Sequence, residues 1–156
     1  MKIILFSILL VISFGNVHAQ QDYKAVLDSF YQHSRSDFKE IMAKQIDTGS
    51  VFYPSKATPD VGNVKIGKYP NAVTLNWIVP LTQSAKVQAA TQDFIKTTYS
   101  DAKLYKTVSE GTEEEGDMTT NVYVLGGAKP LLIFQTIYYR NEDADKSNFT
   151  IIMYGK

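Results

Sequence analysis

Residues 72–81 read AVTLNWIVPL. Val73, Leu75, Trp77, Val79 and Leu81 fall on one side of an extended chain, and Thr74, Asn76, Ile78 and Pro80 on the other. A period of two held over ten residues marks a strand with one buried face and puts Trp77 in the core. Pro80 ends the pairing, because proline has no N–H to donate to a ladder.

Toward the C-terminus the period changes. Val87, Ala90, Thr91, Phe94, Ile95 and Thr98 share one helical face, and Lys86, Gln88, Gln92, Asp93 and Lys96 the other. A helix is predicted over about residues 84–99, capped by Thr82 or Ser84. Four strand-like runs follow, at residues 103–109 (the weakest), 118–125, 131–140 and 149–154. The run at 131–140 is apolar on both sides, with Leu131, Ile133, Ile137 and Tyr139 against Leu132, Phe134 and Tyr138. It reads as a central strand partly covered on both faces. The connectors 111–117, 126–130 and 141–147 are rich in Gly, Glu, Asp or Asn and read as hairpin loops, which makes these four strands an antiparallel meander.

Toward the N-terminus, residues 51–53 suit a short strand. Pro54 and Pro59 restrict pairing there, so an edge strand and a loop are expected. Residues 64–66 read as another short edge strand and 68–71 as a turn. Residues 22–46 carry helical spacing through Tyr23, Val26, Leu27, Phe30 and Tyr31, then Phe38, Ile41, Met42 and Ile46. The polar stretch 32–36 interrupts the stripe, and Asp37 with Glu40 can form a capping box that restarts it. The segment is therefore one long helix or two short ones, ended by residues 48–50 with Gly49 as the cap. The fold class is α+β: a two-layer sandwich, with an antiparallel sheet of about four to six strands and two or three helices on one face.

Residues 1–19, MKIILFSILLVISFGNVHA, read as a secretory signal peptide. Lys2 supplies the positive start, and Val17 and Ala19 are the small residues before a cleavage site at Ala19–Gln20. The apolar run of about twelve residues is shorter than the roughly 20 that span a bilayer. No cysteine stands at the junction to take a lipid. Cleavage leaves residues 20–156 as a single domain with no membrane span. It carries 15 basic against 16 acidic side chains, a formal charge of −1, and one histidine, His33. An exported chain without disulfides suits a Gram-negative periplasm or outer surface. The sequon at Asn148, Phe149 and Thr150 sits at a strand start and reads as chance.

Composition bounds the chemistry. The chain has 156 residues, 44% hydrophobic and 21% charged, which is a globular composition and one domain's length. No cysteine means no disulfide framework, no thiolate zinc site and no cysteine nucleophile. A charge near zero, with basic residues scattered, argues against nucleic acid as a partner.

Each local motif has a plain reading. His33 lies on the polar side of the first helix or at its break, and no serine sits in a nucleophile elbow. Glu113, Glu114, Glu115 and Asp117 form a solvated hairpin tip that discourages edge pairing. Residues 141–147 place oxygen ligands at alternate positions, as calcium loops begin. Lys146 stands where that loop needs glycine, and Ile152 where it needs a bidentate glutamate. Residues 126–130 are a glycine-rich turn without phosphate-loop spacing. No side chain is therefore assigned a catalytic, cofactor-binding or metal-ligating role, and no cofactor is expected.

The aromatic residues are the remaining signal: 10 Tyr, 8 Phe and 1 Trp. Tyr53, Tyr69, Tyr99 and Tyr105 stand near element ends, where exposed rings suit protein contact or sugar stacking. Tyr123, Leu132, Phe134, Tyr138 and Tyr154 make a second apolar face of the meander. That face would be a ligand pocket, a homodimer surface or a seat for the first helix. The leading expectation is an exported, non-enzymatic binding or interaction module for a protein or small-molecule ligand not identified by the sequence. One alternative is a small-ligand-binding or carboxylate-based hydrolytic enzyme, which requires at least two of Glu40, Asp60, Asp93, Glu110 and Asp143 to share a cleft. The other is a subunit that dimerises through its sheet.

Overall fold

The computed structural model describes residues 21–98, 102–112, 116–125, 130–139 and 141–155. The expected signal peptide lies outside the described residues. In chain order the elements are α1 (Tyr23–Ser34), β1 (Phe52–Pro54), β2 (Asn63–Tyr69), β3 (Ala72–Pro80), α2 (Ala85–Thr98), β4 (Ala102–Thr112), β5 (Gly116–Leu125), β6 (Pro130–Tyr138) and β7 (Asn148–Tyr154). The seven strands form one sheet in the order β1-β2-β3-β7-β6-β5-β4, antiparallel at every pairing. The protein is α+β with an antiparallel sheet.

Two hairpin systems build this sheet. One runs β1-β2-β3 and the other β4-β5-β6-β7, and the last strand joins them by pairing β7 with β3. The strand count is seven, above the four to six expected, and two α-helices are described. The difference arises before β3. Residues 63–69 form a full strand paired on both sides, with β1 and with β3, so β2 is not the short edge strand expected. Its outer neighbour β1 is the edge, three residues long and closed by Pro54.

The helix α1 begins where the Asp22 carboxylate accepts hydrogen bonds from the N–H groups of Lys24 and Ala25, at 3.0 and 3.2 Å. It ends at Ser34, and the expected restart at Asp37 does not occur. Asp37 and Phe38 take left-handed φ angles of 53° and 58°, which a right-handed helix cannot hold. Phe38 and Ile41 are nevertheless buried. The chain carries them inward on a turn and then runs beside β1. There the Ala43 N–H donates to the Pro54 carbonyl and the Lys56 N–H to the Ile41 carbonyl. Ile46, the last residue of the supposed stripe, is exposed. Gly49 sits in a tight turn closed by its N–H on the Asp47 carboxylate, not at a helix end.

Both helices feed one core. Leu27 and Phe30 of α1 and Val87 and Phe94 of α2 meet Val64, Ile66, Leu75, Trp77, Val79, Leu132, Phe134, Phe149, Ile151 and Met153 from β2, β3, β6 and β7. Trp77 is fully buried. The Phe30 ring packs edge-on against it at 5.7 Å, and its indole N–H donates to the Val61 carbonyl at 2.9 Å. Gly62, next to that carbonyl, has φ +79°, and a β-carbon there would press into the Ile78 carbonyl.

Candidate interaction face

The pairing registers sort the sheet into two faces. One lies under the helices. The other is built from the alternate residues, and they run across the strands in rows. One row is Lys65, Asn76, Ile152, Ile133, Val122 and Lys106; the next is Ile78, Thr150, Gln135, Thr120 and Val108; a third is Asn148, Ile137, Met118 and Glu110. Ile78, Met118, Val122, Ile133, Ile137 and Ile152 are all half-buried, and none belongs to the core cluster. Side-by-side packing on a sheet shields them in part, and no described helix lies over them.

The neutral polar residues of this face satisfy one another along it. The Gln135 amide donates to Thr120 Oγ1 at 3.3 Å and lies 3.1 Å from Met118 Sδ. Thr150 Oγ1 donates to Asn148 Oδ1 at 2.9 Å, and Asn76 Nδ2 to Thr74 Oγ1 at 3.0 Å. These bonds lie in the plane of the face, so the polar groups cost little when a partner covers it.

At the β1–β2 end the face turns aromatic. Gly67 pairs with Phe52 on one side and Thr74 on the other. Its missing side chain leaves room for the Tyr69 ring, which a β-carbon would meet at 2.8 Å. Phe52 and Tyr69 then pack edge to face at 6.3 Å, 39% and 41% exposed. Beside them Tyr69, Ala72, Thr74, Asn76, Ile152 and Tyr154 enclose a shallow depression of about 340 Å³. A larger cleft of about 360 Å³ lies between α1 and residues 57–59, where the described chain begins at Gln21.

The displaced titrating groups lie away from this face. Burial raises the Tyr23 phenol above its ordinary pKa, helped by a hydrogen bond to the Asp60 carboxylate. Lys24 is raised by its hydrogen bond to Asp28 at 3.0 Å.

The five residues expected to form a second face are divided. Leu132 and Phe134 are buried under the helices, so they serve as the helix seat. Tyr123 holds the register position opposite Leu132. Tyr138 is exposed, and Tyr154 stands on the uncovered face. Ile133 and Ile137, outside that expected set, populate the uncovered face. Gln135, in phase with them, was the available cue. Tyr53 is half-buried against the core. Tyr99 and the Tyr105 side chain lie outside the described residues.

The polar candidates are scattered. His33 Nδ1 is 2.6 Å from Glu40 Oε2, a hydrogen-bond contact at the end of α1. Asp60 borders α1 through its N–H on Gln21 Oε1, Asp93 is exposed on α2, and Glu110 is exposed on β4. Of the five best-formed depressions among the described residues, one holds Glu110 and none holds two of these four carboxylates. The Asp143 side chain and Glu113, Glu114 and Glu115 lie outside them. Asp117 is exposed on β5. The backbone of Asn141–Lys146 winds into a 3₁₀ turn, while the Gly126–Lys129 part of the glycine-rich turn lies outside the described residues. Among the described residues no three His, Asp or Glu converge as metal ligands, and no helix is long and apolar enough to cross a membrane. No family model, curated protein or solved structure matches the chain.

Proposed function

We propose that this chain is an exported interaction module of a Gram-negative periplasm or outer surface, and that it binds a partner protein with the sheet face its helices leave open. One observation carries the reading: six half-buried aliphatic side chains, from Ile78 to Met118, form a band across four strands with its neutral polar neighbours already paired. Such a band loses little and gains apolar burial when covered, and the exposed Phe52–Tyr69 pair offers aromatic anchors at its end. Export rests on residues 1–19. A non-enzymatic role is supported by the dispersal of the four described carboxylates.

The test uses the apolar dye anilinonaphthalene sulfonate and a photo-crosslinker. The purified protein should enhance the dye's fluorescence, and Ile133→Lys should remove most of that gain with the far-UV spectrum unchanged. A crosslinker at position 133 in the exporting cell should give one discrete adduct that a crosslinker at the exposed helix position Gln92 does not. A dye signal indifferent to Ile133→Lys, with no adduct specific to position 133, sinks the reading.

A further inference from the structure

The two edges of the sheet are built differently. The β1 edge is three residues long and ends in proline, so it offers almost no ladder. The β4 edge is 11 residues long, contains no proline and stands last in the strand order. Lys106, Thr107, Ser109, Glu110 and Gly111 are exposed on it, and Val108 is half-buried. Every second residue of such a strand turns an N–H and a C=O outward, a template for another strand.

The side chains of that edge are self-complementary. Lys106, Val108 and Glu110 stand opposite Val122, Thr120 and Met118, so all three share the open face. Thr107 and Ser109 share the other face. Turn a second copy of β4 antiparallel about Val108, and Lys106 of each copy stands opposite Glu110 of the other. Val108 then meets Val108, and Thr107 meets Ser109. Both charged pairs are of opposite sign, and each cross-strand pair contributes favourably. A register shift between Leu104 and Lys106 confines the matching stretch to residues that follow it. Among the described residues neither Lys106 nor Glu110 joins an ion pair, so both charges are available to a second copy.

We propose that this protein forms a two-fold homodimer by antiparallel pairing of β4 with β4 about Val108, joining two seven-stranded sheets into one. The pairing uses the strand edge and leaves the open sheet face free, so it stands independently of the partner-binding reading.

Analytical ultracentrifugation of the protein recovered after export tests it, at low salt and up to about 500 µM, where weak dimers populate. The parent should sediment as a monomer–dimer equilibrium. Lys106→Glu alone places acid opposite acid twice, and Glu110→Lys alone places base opposite base twice, so each should be monomeric. An equimolar mixture of the two variants restores two opposite-sign pairs and should recover the dimer. Both positions are exposed, and circular dichroism confirms the folding of each variant. Lys106→Gln and Glu110→Gln replace any reversal that unfolds, with a smaller loss of dimer expected. A parent that stays monomeric, a dimer that survives both reversals, or a mixture that fails to reassociate overturns the proposal.

Discussion

β3 and β4 are long strands of the same sheet, and they use their side chains in opposite ways. β3 has a paired strand on each side and helices over one face, and Leu75, Trp77 and Val79 on it are fully buried. β4 has one neighbour, and Leu104, which lies opposite Tyr123 on the helix-side face, is 53% exposed. Among the described residues the core side chains of the sheet come from β2, β3, β6 and β7, and none from β4 or β5. One half of the sheet holds the fold together, and the other half is displayed. Stability should therefore depend on the first and association on the second.

The largest break in that comparison should come at Trp77. Trp77→Ala removes the residue that Tyr23 and Phe30 pack against and leaves the Val61 carbonyl without its donor. It should cost about 3–5 kcal/mol in urea unfolding. A loss below about 1 kcal/mol would mean that the core is not centred on β3.

Two identical truncations sharpen the contrast. Leu75→Ala should cost about 2–5 kcal/mol, while Leu104→Ala should stay within about 0.5 kcal/mol. Equal losses at the two positions, read as shifts in the urea midpoint at constant slope, would show that the hairpin is packed as tightly as the covered half.

The smallest effect is alkaline. Tyr23, on the covered side, has its pKa raised above the ordinary 10.0, first by burial and then by the Asp60 carboxylate. The neutral phenol therefore favours the folded chain fully below pH 10, and that contribution fades as pH rises through the folded value. Lys24 is raised by Asp28 and acts in the same direction. Stability should fall with rising pH in this window, and Tyr23→Phe should flatten the fall. A slope unchanged by the substitution would remove Tyr23 as its source.

The sequence made some of these elements plain and hid others. β3 was legible because its alternation is strict and one-sided, and α2 because its polar and apolar faces separate cleanly. β6 was legible as a strand but not as a pair of faces. Leu132 and Phe134 on one side and Ile133 and Ile137 on the other are equally apolar, and which side the helices cover depends on the register with β7. Residues 37–46 misled for a related reason. Phe38 and Ile41 are buried as their spacing implied, but burial by a turn leaves the same spacing as burial by a helix, and left-handed backbone at Asp37 and Phe38 has no periodic signature. The membership of the uncovered face was not legible, because its apolar residues come from four strands and become neighbours only through pairing.

What the amino-acid sequence determined by itself was local: the α+β class, the strand period, the Trp77 core position, the absence of cysteine chemistry and the composition of residues 1–19. Alternation and helical spacing act over a few residues, and composition needs no geometry at all. Tertiary structure alone decided the joining of β7 to β3, the promotion of β2 from edge to interior, the choice of covered face and the exposure of a long β4 edge. Those outcomes depend on which distant strands pair and where two helices settle, and the free energy that selects them comes from burial summed over the whole sheet.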